Sequence, residues 1–347
     1  MATERWKFRP EGSTWGDFGP DDQLGRLNLL TPEKVRQGIA EVREGRSFCL
    51  SLPLDLPGGS VLNPRRFAPI LSPTGTDERP RFAYPLGQDD ARHTDVTCDD
   101  KVLICLQYST QWDALAHFGG QFDVDGDGRA EAVFYNGWRA GRDIAGPRDY
   151  LGLDTPEGGH RGAGALGIET MAAKAIQGRA VLVDLEAHYG RDRRFIGHAD
   201  LMAAMQADGV VVEPGDMLCL HTGFAQCLVE MGGQPTAEVV DGLCSVLDGR
   251  DDALRGWIRD SGISALIADN YAVEGLPARD GGDCRHAALP LHELCLFHLG
   301  VPLGELWHLT DLARHLRVQG RSRFLLTAPP LRLPGAVGSP VTPVATT

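Results

Sequence analysis

The sequence has little positive charge and lacks the patterns of membrane and secreted proteins. It contains 34 lysine and arginine residues against 47 aspartate and glutamate residues, so its net charge is -13 and nucleic acids or anionic membranes are poor partners. No stretch approaches the ~18–20 consecutive apolar residues of a membrane span. The first residues also hold no apolar core of a signal peptide. We therefore expect a cytoplasmic protein whose partner is neither a nucleic acid nor a membrane.

Two frequent kinds of reactive site are also missing. The eight cysteines form no C-x-x-C pair, and Cys105, Cys219 and Cys295 lie within apolar runs. Such cysteines are typical of buried, reduced thiols rather than of disulfides or a zinc knot. The sequence has no G-x-S-x-G motif, which argues against a serine nucleophile of the α/β-hydrolase type.

The chain has 347 residues, 42% of them hydrophobic, which is enough for a large core. From about residue 100 onward, short apolar segments typical of strands alternate with helical patterns. The predicted strands are 180–185, 217–221, 265–268 and 324–328, and the predicted helices are 168–176, 199–207, 252–261, 291–299 and 310–316. This alternation predicts one compact α/β domain over residues 96–347. Residues 1–95, with one helix capped by Thr31, form an N-terminal extension packed on that domain.

Four polar side chains follow the apolar run 102–106, which we predict to be a buried strand. Gln107, Gln111, Asp113 and His117 are separated by even numbers of residues, so in an extended chain they would face one side. Two amides, a carboxylate and an imidazole on one side indicate a functional site. The plainer interpretation is a polar network that satisfies buried backbone groups.

The segment from Gln107 to His117 resembles the signature H-x-G-T-H-x-D-x-P-x-H of the cyclase family of metal-dependent hydrolases, which includes kynurenine formamidase and isatin hydrolase. Thr110, Asp113 and His117 match that signature, whereas Gln107 and Gln111 replace its two metal-binding histidines. Three further stretches resemble the family: 213–224, 291–306 and 329–340. The resemblance implies a compact α/β domain of the swivelling β/β/α-like type, with a mixed central sheet and flanking helices. It also implies a homo-oligomer, either a dimer or a tetramer.

In the family pattern, two adjacent metal positions share the aspartate. Carried over to this sequence, the first position is Gln107, Gln111 and Asp113, and the second is Asp113, His292 and Glu305. Amide oxygens are weaker zinc donors than imidazoles. We therefore expect the second position to be retained and the first to be weakened or lost. The predicted cofactor is one divalent ion, Mn²⁺ or Zn²⁺, and the two glutamines bind a second ion weakly or hydrogen-bond the substrate.

Two other histidines have open assignments. His298 competes with His292 as the metal ligand, but six helical residues separate them by about 600°, so they face different sides; the family pattern favours His292. His221 follows a predicted strand. It either lines the cleft and contacts substrate or is a satisfied structural residue.

The remaining residues of the predicted site surround the aspartate. His117 is the candidate general acid and base, because imidazole titrates near neutral pH. Trp112 and Phe118 are candidates for shaping an aromatic substrate pocket.

The resemblance implies that metal-activated water cleaves a C–N bond of a cyclic or aryl amide in a small-molecule substrate. Opening of a lactone is a close alternative. Two interpretations from other classes stay open: a metal-free descendant that only binds a small molecule, and a lyase or isomerase that acts through His117.

Overall fold

The computed structural model describes residues 5–146 and 162–347, and a nine-stranded mixed sheet forms its centre. In chain order these strands are β1 (Ser47–Cys49), β2 (Gln111–Asp113), β3 (Gln177–Asp184), β4 (Met217–His221), β5 (Ala265–Ala268), β6 (Leu303–Glu305), β7 (Arg323–Thr327), β8 (Gly338–Pro340) and β9 (Val344–Thr346). Their order across the sheet is β1–β9–β7–β3–β4–β5–β6–β2–β8. Strands β3 to β6 run parallel to one another, and the other neighbours pair antiparallel.

Five short strand pairs lie outside this sheet. They are Ile70–Pro73 with Asp100–Leu103, Tyr84–Pro85 with Val96–Thr97, Gly120–Phe122 with Glu131–Val133, Ile144–Ala145 with Gly162–Ala163, and Arg194–Ile196 with Ser245–Leu247. All but the last pair are antiparallel.

Helices flank the central sheet, which confirms the predicted α/β class. They are α1 (Pro32–Ala40), α2 (Ile168–Lys174), α3 (Leu185–Tyr189), α4 (His198–Ala207), α5 (Phe224–Glu230), α6 (Ala237–Asp241), α7 (Asp252–Ser261), α8 (Pro290–His292, continued by a π-helix over Glu293–Leu299) and α9 (Thr310–Val318). Short 3-10 helices cover Gly25–Leu29, Leu86–Gln88 and Tyr135–Gly137. No helix of the described residues is long and apolar enough to cross a membrane.

Local sequence signals explain where several helices begin and end. The Thr31 hydroxyl accepts a hydrogen bond from the Lys34 amide at 3.3 Å at the start of α1, as its sequence position predicts. Asp251 caps α7 in the same way, accepting from the amides of Ala253 and Leu254. The helix ends at Gly262, which adopts a left-handed conformation that glycine tolerates without strain.

The core lies on both faces of the sheet. The parallel strands β4 and β5 are buried along their whole length, as expected of strands covered by helices on each side. One apolar cluster packs on the face that includes Val181, Leu218 and Leu266, and a second packs on the face that includes Leu182, Cys219 and Ile267.

The prediction of a buried strand over residues 102–106 is wrong. The strand there is Asp100–Leu103, and its apolar side chains are largely in solvent, with Val102 50% and Leu103 61% exposed. It pairs only with Ile70–Pro73 within the described residues. An apolar run records β propensity but does not say which surface will cover it. The polar residues that follow do not lie on one extended strand. Pairing within the central sheet and the adjoining turns bring them close together.

Candidate metal centre

Three buried side chains from three elements meet at the edge of the central sheet. Asp113 ends β2, Glu305 ends β6, and His292 ends the first turn of α8. Antiparallel pairing of β2 with β6 places Leu303 opposite Asp113 and Glu305 opposite Gln111. One ligand atom from each of Asp113, His292 and Glu305 lies within 4.8 Å of the others. The structure thus brings the predicted second metal position together.

The electrostatics of this trio show two acids sharing one buried space. Burial and the neighbouring charge of Glu305 raise the pKa of the Asp113 carboxyl well above its usual value. Burial also opposes ionisation of Glu305, but a hydrogen bond from His292, whose Nε2 lies 3.2 Å from Oε1, holds the pKa of Glu305 below its usual value. Like charges in low dielectric repel strongly. A bound cation would relieve that repulsion.

The donor set fits a divalent ion. Within the described residues, the Oδ2 atom of Asp113 and the Oε1 atom of Gln111 are buried without a hydrogen-bond partner. Buried oxygens are rarely left unsatisfied, so both have capacity for a further interaction. Two carboxylates and an imidazole form a ligand set that suits Zn²⁺, and the oxygen donors also suit Mn²⁺.

A buried glutamate outside the predicted site fixes the orientation of His292. Glu274 is fully buried, and its Oε1 lies 3.0 Å from Nδ1 of His292. The same carboxylate accepts the backbone amides of Leu291 and His292 at 2.9 Å. A ring held at Nδ1 in this way presents Nε2 to the centre, which is the usual arrangement behind a metal-binding histidine. Burial lowers the pKa of His292, but hydrogen bonds to Glu274 and Glu305 raise it to about 10.

Both glutamines lie at the centre. Gln111 Nε2 donates to Glu305 Oε2 at 3.1 Å and lies 3.5 Å from Asp113 Oδ1. Gln107 Nε2 lies 3.5 Å from Nδ1 of His117. Its amide packs over Gly338, where a Cβ atom would come within 2.5 Å of Nε2. Gly338 therefore leaves the space that Gln107 needs beside the histidine.

His117 occupies the accessible side of the centre. Its Nε2 lies 3.8 Å from Asp113 Oδ1, and its side chain is 22% exposed, whereas that of Asp113 is fully buried. Burial and the neighbouring His292 lower the pKa of His117 to about 4. The imidazole is therefore neutral at neutral pH and able to accept a proton.

The aromatic residues that flank Asp113 have different positions. Phe118 makes an edge contact with His292, with ring centroids 5.4 Å apart, and lines a cavity of about 560 Å³. Trp112 does not line the site. It is fully buried on the opposite face of β2, contacts Trp307 and donates its indole N–H to the Ala328 carbonyl. Side chains alternate along a strand, so Trp112 and Asp113 cannot share a face.

His221 also lies away from the cleft. It is fully buried at the end of β4, with Nδ1 2.8 Å from Asp184 Oδ1 and Nε2 3.1 Å from Thr310 Oγ1. Both ring nitrogens thus have internal hydrogen-bond partners, and the side chain has no exposed surface.

His298 lies apart from the metal ligands. It lines a separate surface groove with Arg255 and Arg259, and burial lowers its pKa to about 4. Of the two competing histidines, the structure places His292 at the centre.

Three residues near the centre, Glu274, Arg66 and Tyr271, are not among the site residues predicted from the sequence. Arg66 lies on a loop that precedes the signature, and Tyr271 and Glu274 follow β5. The strand-end position of Asp269–Tyr271 was the one available signal, because α/β proteins place ligand contacts where parallel strands end. Nothing in the local sequence marks Arg66.

Comparisons with known proteins agree with this architecture. The Cyclase family model matches residues 50–275. A solved structure described as a novel cyclase is 31% identical and superposes with a TM-score of 0.73, the match covering 96% of this chain and 97% of that one. None of the curated proteins compared with the sequence matches it.

Two isatin hydrolases have a similar fold at lower identity. Isatin hydrolase A from Labrenzia aggregata, bound to benzyl benzoate, is 15% identical with a TM-score of 0.55, and the match covers 90% of this chain and 99% of that one. Isatin hydrolase A from Ralstonia solanacearum is 15% identical with a TM-score of 0.53, covering 86% and 91%.

Proposed function

This chain belongs to the Cyclase family, and we propose that it is a metal-dependent hydrolase that cleaves a carbonyl–nitrogen bond of a cyclic or aryl amide. The observation that carries the proposal is the buried trio of Asp113, His292 and Glu305, in which one carboxylate oxygen has no partner among the described residues. The similarity in fold to isatin hydrolases supports the reaction class.

The three buried residues would hold one divalent ion. When bound, the ion would lower the pKa of a water molecule and polarise the substrate carbonyl. Gln111 adds an amide oxygen with unused capacity at the same place. Glu274 keeps the ring of His292 in position.

His117 would move the proton. As water attacks the carbonyl carbon, the neutral imidazole accepts a proton from it, and the imidazolium then gives that proton to the leaving nitrogen. The products are a carboxylic acid and an amine, joined in one molecule if the amide was cyclic. For Nε2 of His117 to accept that proton, Nδ1 must carry the ring hydrogen, so Gln107 would present its amide oxygen to Nδ1 in both protonation states.

Metal analysis of the purified protein tests the proposal. After loading with Mn²⁺ or Zn²⁺ and removal of excess ion, the wild-type protein should retain about one equivalent, and Asp113→Asn should retain less than about a tenth. Asp311→Asn, an exposed acid on α9, is the matched control and should behave as wild type. Retention of less than a tenth of an equivalent of metal by the wild-type protein would refute the proposal and favour a metal-free binding protein.

The second part of the test is activity. A panel of aryl formamides, cyclic imides and lactones should show turnover in the loaded wild-type protein. His117→Gln should lower kcat by about 10²–10⁴-fold while its metal content stays unchanged. Turnover of lactones alone would redirect the proposal to ester chemistry.

A further inference from the structure

Arg66 lies beside the metal centre without belonging to it. Its Nη1 donates to the carbonyl oxygen of Gln107, and its guanidinium carbon lies 5.9 Å from the ring centroid of Tyr271. With Gln107 and Tyr271, it lines a small cavity at the edge of the site. The side chain is half-buried.

The loop that carries Arg66 is fixed at several points. The Tyr108 hydroxyl donates to the Gly59 carbonyl at 2.9 Å, and the Asn63 amide donates to the Tyr271 hydroxyl at 3.2 Å. The backbone amide of Arg66 donates to the Asn63 carbonyl at 3.0 Å. A guanidinium on a pinned loop loses less conformational entropy when it binds a ligand than one on a free loop.

The positive charge of Arg66 has no ionic partner in the described part of the chain, where no carboxylate lies within 4.0 Å of it. A guanidinium has five N–H groups, and the bond to Gln107 uses one of them. A half-buried cation beside a small cavity, with most of its donors unused, is suited to an anion from outside the chain.

We propose that Arg66 binds a carboxylate carried by the substrate and thereby selects substrates with an anionic group near the bond that is cleaved. The inference rests on the proposed function for the identity of that bond, but the recognition of the carboxylate does not depend on turnover. A planar guanidinium can hold a carboxylate through two parallel hydrogen bonds. Arg66 would then determine specificity, while His117 and the metal ligands perform the reaction.

Binding of benzoate and benzamide tests this directly, because the two probes differ in charge and scarcely in shape. Calorimetry on the Mn²⁺-loaded and the chelator-treated protein separates Arg66 from the metal, since an ion would also attract benzoate. In both forms, the wild-type protein should bind benzoate about 10- to 100-fold more tightly than benzamide. Arg66→Met should remove that preference without weakening benzamide binding, and Arg66→Lys should retain part of it.

The neighbouring residue supplies the control. Arg65 is exposed and carries the same charge one position away, so Arg65→Met should keep the wild-type preference. The inference is overturned if the wild-type protein does not discriminate between the probes in the chelator-treated form, if Arg66→Met still prefers benzoate, or if Arg65→Met loses the preference equally.

Kinetics separate this inference from the proposed function. With 2-formamidobenzoate and formanilide as substrates, Arg66→Met should raise KM for the carboxylate substrate alone. An equal fall in kcat for both substrates would instead place Arg66 on the developing charge of the carbonyl oxygen and refute a specificity role. If neither substrate is hydrolysed, the proposed function fails while the preference for benzoate still decides the role of Arg66.

Discussion

Replacement of Glu274 by glutamine should weaken metal binding although Glu274 is not a ligand. Its Oε1 accepts hydrogen bonds from Nδ1 of His292 at 3.0 Å and from the backbone amides of His292 and Leu291 at 2.9 Å. The glutamate therefore fixes both the ring and the first turn of α8. Glutamine keeps the shape and one acceptor oxygen, but it removes the charge and replaces the other oxygen, which accepts from the Leu291 amide at 3.0 Å, by an NH2 group.

The magnitude follows from two opposing effects. A hydrogen bond to a charged group contributes about 1.5–3 kcal/mol and a neutral one about 0.5–1.5 kcal/mol, so Glu274→Gln weakens the hold on the ring by about 1 kcal/mol. Loss of the charge also lowers the pKa of His292 from about 10, which eases release of its proton. A divalent ion carries twice the charge of that proton, so the lost attraction for the ion dominates. We expect metal affinity to fall about 10- to 100-fold.

The measurement is a competition titration of Zn²⁺ or Mn²⁺ against a chromophoric chelator, with thermal unfolding of the metal-free variants alongside. Glu293→Gln is the matched control. Glu293 is the next residue of the same helical segment, and in the described structure its carboxylate makes no hydrogen bond to His292. Unchanged affinity in Glu274→Gln, with Asp113→Asn still abolishing binding, would refute the positioning role. An equal loss in Glu293→Gln would refute it as well.

Two further predictions concern the glutamines and the buried pair of Asp184 and His221 at the ends of β3 and β4. The double variant Gln107→His, Gln111→His should raise zinc retention towards two equivalents, because imidazoles are stronger donors than amides; unchanged stoichiometry by metal analysis would show that the segment cannot present them. Despite burial, its cationic partners hold the pKa of Asp184 at about 2, so Asp184→Asn should lower the free energy of unfolding by about 2 kcal/mol. Since a depressed pKa stabilises the fold only above it, denaturant titrations should show the full difference near about pH 5–6 and a smaller one as the pH falls towards about 2. The pKa of His221 is raised, so its share of the stabilisation should be lost as the pH rises through that raised value. A difference that does not vary with pH would contradict the ionic origin.

The elements whose bounds were predicted correctly are those whose start and end signals lie in the local sequence. Strands β4 and β5 have the predicted bounds, because strands buried on both faces form continuous apolar runs between turns. Helix α7 also has the predicted bounds, since an aspartate cap and a glycine stop mark its ends.

The predictions that failed concern residues whose burial or orientation depends on which other elements pack against them. Val102 lies in an apolar run like those of β4 and β5, yet among the described residues it is half exposed. Trp112 lies next to Asp113 in the signature segment, and only the pairing of β2 with β6 decides that it faces the core rather than the site. His221 ends a strand, as a ligand-binding residue would, but Asp184 at the end of β3 and Thr310 at the start of α9 occupy its ring nitrogens.

The sequence by itself determined the α/β class and the residues that we propose carry the chemistry. Asp113 and His117 follow from a local signature, and the replacement of two histidines by Gln107 and Gln111 is visible in the sequence alone. The tertiary structure decided which distant residues join them. No local sequence pattern identifies Glu274 or Arg66. The orientation of the His292 ring by Glu274 and the position of the Arg66 charge depend on contacts between elements far apart in the chain.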